Sequence, residues 1–145
     1  MPTPIVRLFR LLRSGTAVLV TALLLQWPIG LAAADERGEL AAAFKVASAQ
    51  YQVALKTLET RGREETAAEV HRLREAFQAV IQQVDANRTA LGLDPDYDGM
   101  LMQLDVSMVG VMLVIDFGSR EAARDALRPI GQSLAELEAR AARRE

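Results

Sequence analysis

The chain has 145 residues, half of them hydrophobic and a quarter charged, with 17 basic and 19 acidic side chains. This length suits a single domain, and the mildly acidic balance argues against nucleic acid and anionic membranes as partners. There is no cysteine. Disulfides therefore cannot stabilise the fold, and a hydrophobic core must do so alone.

The first 34 residues have the organisation of a secretory signal peptide. Arg7, Arg10 and Arg13 precede the apolar segment 16–25, and the small residues 32–34 follow it. An apolar segment this short, ending in small residues, is typical of a cleaved signal rather than a retained anchor. We predict cleavage after Ala34 and a periplasmic or secreted protein.

The mature chain, 35–145, forms one predicted domain of 111 residues. Because three of the 17 basic residues and none of the 19 acidic ones leave with the signal, 14 bases and 19 acids remain, a net charge of −5. Four segments in it repeat apolar residues every three or four positions. That spacing predicts amphipathic helices over approximately 37–61, 64–91, 99–117 and 120–143.

In the first two helices the apolar residues follow one face. The first has the stripe Leu40, Phe44, Ala47, Tyr51, Ala54 and Leu58. The second has Ala67, Val70, Leu73, Phe77, Val80, Ile81, Val84 and Leu91. Gly62 is predicted to end the first helix in a left-handed conformation. The Asp94–Pro95 pair makes a longer connection, 92–99, the expected break before the third helix.

The third helix is the most apolar part of the mature chain and carries four of the five methionines. Its stripe is Leu101, Leu104, Met108, Val111 and Ile115. Val106, Val109, Met112 and Val114 extend the apolar surface around most of the helix. Such a helix is expected to be the most buried of its bundle, or one half of a dimer interface. Asp98, Asp105 and Asp116 argue against a membrane span.

The fourth helix follows Gly118, with Ser119 as the predicted N-cap. Its stripe is Ala123, Leu127, Ile130, Leu134, Leu137 and Ala141. Short connections between helices of similar length favour antiparallel neighbours. The predicted fold is therefore all-α, an up-down-up-down four-helix bundle.

The segment from Asp94 to Asp105 resembles a calcium-binding loop. Asp94, Asp96, Asp98 and Asp105 occupy positions one, three, five and twelve of a twelve-residue loop, with Gly99 at position six. Calcium prefers several oxygen ligands, and a glycine permits the sharp turn. A shorter acid stands at position twelve than the usual glutamate. Alternatively, the segment is a turn in which Asp96 or Asp98 caps the third helix.

A soft-metal or haem site would have to use His71, the only histidine. Met108 and Met112, one helical turn apart, would supply thioethers to copper or an axial ligand to haem. The alternative is a surface histidine and two methionines that fill the core. No histidine, serine or cysteine arrangement of a nucleophilic enzyme is present. We expect no catalytic activity and no cofactor, with calcium the first alternative and haem a weaker one.

The last thirty residues before Glu145, IDFGSREAARDALRPIGQSLAELEARAARR, resemble the end of the cytochrome c′ and cytochrome b562 group of periplasmic four-helix bundles. In that group the final helix carries haem-binding residues. Here residues 134–138 read LAELE, where a cytochrome c′ has Cys-x-x-Cys-His, and the first mature helix lacks methionine. The resemblance implies a relative without haem, with Leu134 and Leu137 filling the interior.

The expected function is that of an exported, non-catalytic binding or interaction protein. Its partner is predicted to be a second copy, bound through the third helix, or another protein. A periplasmic haem or metal carrier, in electron transfer or in copper or calcium binding, is the alternative.

Overall fold

The computed structural model describes residues 28–143, and their side chains from residue 34 onward. The described chain folds into four helices and contains no strand. They are α1 (Pro28–Thr60), α2 (Arg63–Leu91), α3 (Asp96–Phe117) and α4 (Arg120–Ala142). The structure is an all-α four-helix bundle.

One hydrophobic core is built from the stripes that the sequence predicts. Nearly all the predicted positions are buried, because repeats of three and four residues place side chains on one face of a helix. The core residues that expose 1% of their surface or less include Phe44, Phe77, Val80, Met108, Leu127 and Leu137. Tyr51, Ala67, Ile81 and Ala141 pack against the core and are partly buried.

The connections between helices are short, and two of them differ from the prediction. Gly62 is extended (φ −87°, ψ −179°) and stands before α2, so the predicted left-handed end of α1 is wrong. The left-handed glycine is Gly92 (φ 58°, ψ 38°), whose N–H donates to the carbonyl of Arg88. Ser119 caps α4 as predicted, because its hydroxyl accepts from the N–H of Ala122 at 3.1 Å.

Helix α3 begins at Asp96, three residues earlier than predicted. Pro95 causes the difference, since its fixed φ suits the start of a helix and it has no N–H to satisfy there. The Asp94 carboxylate accepts from the N–H of Asp96 at 2.9 Å. The capping carboxylate is thus Asp94, and the predicted N-cap role of Asp96 or Asp98 is wrong.

Along the contacts between two helices, the residue number rises on one helix as the number of its partner falls on the other. Gln50 and Arg37 of α1 bond to Glu69 and Leu91 of α2. Arg74 and Arg88 of α2 pair with Asp105 and Asp98 of α3. At the α1–α4 contact, Arg120 donates to the carbonyl of Arg61, and Gly131 faces the Tyr51 ring. These contacts tie α1 to α2 and α4, and α2 to α3; α3 is tied to α4 by the hydroxyl of Tyr97, which donates to the carbonyl of Leu137.

The basic and apolar parts of the predicted signal peptide lie outside the described residues. By its internal contacts the chain divides into two units, 1–35 and 36–145. This boundary falls one residue after the predicted cleavage position. Cleavage itself stays a prediction.

Candidate functional site

The outward face of α3 is the most unusual surface of the described chain. Its large apolar side chains are exposed to solvent: Met102 (71%), Val106 (64%), Val109 (41%), Leu113 (57%) and Phe117 (85%). Steps of four, three, four and four residues place all five on one side of the helix, opposite its buried stripe. We call these five residues the α3 stripe.

Helix α3 has the largest share of buried residues of the four helices, six of 22 against seven of 29 in α2 and five of 23 in α4, as its apolar sequence predicts. Even so, only 28% of its most apolar stretch is buried. Two neighbouring helices cover one side of α3 and leave the apolar residues of the other side in solvent. By length and composition alone, α3 is also the one helix in the described part of the chain that could cross a membrane. An apolar face this continuous is typical of an interaction surface.

Asp105 lies on the flank of α3 that faces α2. Its two carboxylate oxygens accept from Nε and Nη2 of Arg74 at 2.9 and 3.1 Å, and Gln78 adds a third hydrogen bond at 2.8 Å. Bidentate pairing of this kind is the strong form of an ion pair. Hydrogen bonding to Arg74 lowers the pKa of Asp105, against a smaller opposing effect of burial. Asp105 is therefore paired with an arginine of the neighbouring helix.

We expect Asp105→Asn to lower the free energy of unfolding by about 1 kcal/mol at pH 7, because the charge-assisted bonds to Arg74 are lost. A lowered carboxyl pKa stabilises the fold above the unfolded-state value of about 4, and this contribution disappears as the pH falls through the folded-state pKa. The difference between variant and wild type should therefore shrink between pH 7 and pH 2. Urea unfolding at both pH values measures it, with exposed Asp116→Asn as the control. An equal difference at both pH values would contradict the assignment.

The four carboxylates of the predicted calcium loop do not surround a common point. Residues 96–105 are helical, so the chain does not wrap as a calcium loop does. Asp98 pairs with Arg88, and Asp94 lies 3.8 Å from Nη1 of Arg140. Among residues 34–143, no three His, Asp or Glu side chains come together in a way that could hold a metal ion. Calcium binding stays a prediction.

The residues predicted for copper or haem lie in different environments. His71 is 59% exposed on α2, with Nε2 3.4 Å from Glu75. Met108 is fully buried in the core, and Met112 packs against the core while partly exposed. The three side chains thus differ in exposure, and haem or copper binding stays a prediction.

Two contacts of the core were not identified from the sequence. Tyr97 is 1% exposed, and its hydroxyl donates to the carbonyl of Leu137 at 2.9 Å. It continues the α3 repeat four residues before Leu101, so the spacing could have revealed it. Gly131 leaves room for Tyr51, since a Cβ there would clash with the Tyr51 ring. No local signal marks that contact.

Comparison with known proteins adds no relative: no family model, no curated protein and no solved structure matches the chain. The fold and the α3 stripe define the class of protein, an all-α four-helix bundle with one exposed apolar helix face. Function has to be inferred from that face.

Proposed function

We propose that this chain is an exported, non-catalytic interaction protein that binds an amphipathic protein helix through the α3 stripe. The observation that carries the proposal is the exposure of five large apolar side chains on one side of α3. A water-exposed apolar stripe at helical spacing suits the apolar face of a second helix, because side chains at steps of three and four interdigitate.

The scaffold that we infer is an up-down-up-down bundle of cytochrome c′/b562-like architecture without haem. The opposite numbering of residues in the α1–α2 and α2–α3 contacts supports alternating helix directions. Leu134 and Leu137 are buried in the core, which supports an interior filled by side chains where the resembling group holds haem. The absence of a nucleophile–histidine pair from the sequence supports a binding role.

The interface can be tested in the native compartment by photo-crosslinking. A benzoylphenylalanine at Phe117, at the end of the α3 stripe, should form adducts with a protein segment of helical sequence. The same group at His71, exposed on α2, is the matched control and should form few. Equal yields at both positions, or no adduct at Phe117, would refute the proposed interface.

The proposed export also predicts where the N-terminus of the exported protein lies. Sequencing the protein recovered from the exported fraction should begin at Asp35, because signal peptidase accepts the small residues at 32 and 34. Recovery of the protein only in the cytoplasm, or with residues 1–34 retained, would contradict the signal-peptide assignment.

A further inference from the structure

We infer that the helix bound by the α3 stripe is α3 of a second copy of this chain, packed antiparallel about a two-fold axis between Val109 and Gly110. The inference rests on the proposed function and specifies its partner. A two-fold interface requires a surface that complements itself, so that residue i contacts j and j contacts i.

The α3 stripe has this self-complementarity. Its positions are symmetric about the point between residues 109 and 110: Met102 mirrors Phe117, and Val106 mirrors Leu113. An antiparallel copy would therefore place Met102 of one chain against Phe117 of the other, and Val106 against Leu113. These four side chains each meet an apolar partner, and Val109 lies level with Gly110 of the other chain, so no shift of register is needed.

The centre of the stripe permits close approach. Gly110 stands at the proposed axis, and no atom lies within 4 Å of where its Cβ would be. Without a side chain there, the two helix backbones can pack closely, as small residues allow. The segment from Val106 to Ile115 also contains no charged residue. No charge would be desolvated at the centre of such an interface.

Charge at the helix ends favours antiparallel over parallel pairing. Acidic residues occupy both ends of α3, at Asp96 and Asp98 and again at Asp116. Acidic side chains would therefore come together in either orientation, but a parallel pair would also align the two helix dipoles unfavourably. An antiparallel pair opposes the dipoles favourably.

The exposed area is sufficient for a moderate dimer. Five large side chains exposed to this degree correspond to a patch on the order of 600 Å², the upper end for ordinary monomers. Two such faces would bury roughly 1,200 Å², the lower limit for a standard specific interface. We therefore expect a dissociation constant in the micromolar range. A bilayer is the less suitable occupant, since the charged residues at both ends of α3 are acidic and membrane surfaces are commonly anionic.

Sedimentation of the purified exported protein tests the inference. We expect dimers at tens of micromolar, and a dissociation constant at least 100-fold weaker for Leu113→Glu. Val46→Glu, on α1, is the matched control: Val46 is 60% exposed and Leu113 57%, and only the α3 change should dissociate the dimer. Circular dichroism checks that both variants fold, and Val106→Glu should reproduce the effect of Leu113→Glu.

A monomer at these concentrations, or a dimer that Leu113→Glu leaves intact, would overturn the inference. So would co-sedimentation with anionic vesicles in place of self-association. If the protein is monomeric but Phe117 crosslinks to a different protein, the inference that the partner is a second copy is wrong, and the proposed function stands. If neither association nor crosslinking occurs, both fail.

Discussion

Replacing Phe77 by alanine should lower the free energy of unfolding by about 3–5 kcal/mol, the usual cost of removing a buried aromatic ring. Phe77 is fully buried in the core, on the face that α2 turns inward. The loss combines the transfer of the ring from water with the cavity left behind. The fold has no disulfide that could add to its stability. A loss of this size should therefore be a large part of its free energy of unfolding.

Phe117→Ala is the matched control, because the same ring is 85% exposed there. Its effect should stay within about 0.5 kcal/mol in the monomer. Urea unfolding of both variants at low micromolar protein measures the contrast. Similar losses for Phe77→Ala and Phe117→Ala would mean that the assignment of the inner and outer faces is wrong.

The effect of Tyr97→Phe on the free energy of unfolding should change sign with pH. Near neutral pH the variant loses the hydrogen bond from the hydroxyl to the Leu137 carbonyl, at a cost of about 1 kcal/mol. Burial raises the pKa of Tyr97, and the nearby carboxylates of Asp94 and Glu138 raise it further. A phenol whose folded-state pKa is raised stabilises the fold fully below the unfolded-state value of about 10. That stabilisation is lost as the pH rises above it.

Above pH 10 the free energy of unfolding of the wild type should therefore fall. The Tyr97 hydroxyl should contribute up to about 1.4 kcal/mol of this loss for each pH unit. The variant has no such hydroxyl and should not show this loss. The two stability curves should cross at alkaline pH. Denaturant unfolding between pH 7 and pH 12 measures them. Parallel curves across this range would show that the Tyr97 hydroxyl is not held in the buried, neutral state that the structure shows.

The core was predictable from sequence because the heptad-like spacing carries most of the information. In α4 the predicted positions Leu127, Ile130, Leu134 and Leu137 are all buried, and so are five positions of the α2 stripe: Val70, Leu73, Phe77, Val80 and Val84. The pattern works where polar residues occupy the other face, so that only one orientation of the helix buries apolar surface. Helix type and register follow from that contrast.

The same reasoning located most helix ends to within one residue, but it did not define the start of α3, the conformation of the glycines between helices or the interruption of α2. Gly62 and Gly92 look alike in sequence, yet only Gly92 adopts a positive φ. Which glycine does so depends on how the following helix packs, which is a tertiary property. Asn87 departs from helical geometry (φ −120°, ψ 19°) inside α2 with no proline nearby, and the sequence gives no sign of it.

For the candidate site, the sequence revealed the excess of apolar residues on α3 but not their environment. Where nearly every face is apolar, the pattern does not say which side the neighbouring helices cover, or whether any side stays in water. The structure supplies that information by showing Met108 inside and Leu113 outside. The sequence also does not show the partners of the acids in segment 94–105. The arginines that pair with Asp98 and Asp105 belong to another helix, α2, so the pairs depend on how α2 and α3 pack.

The central claim, that the α3 stripe is covered by its own copy, is tested most directly by a single introduced cysteine. The chain has no natural cysteine, so Val109→Cys can form a disulfide only with another molecule. Two such residues beside the proposed axis would lie within bonding reach. Val53→Cys on α1 is the matched control, at 44% exposure against 41% for Val109. Under mild oxidation we predict rapid, nearly complete dimer formation for Val109→Cys and slow formation for Val53→Cys; equal rates would contradict the interface.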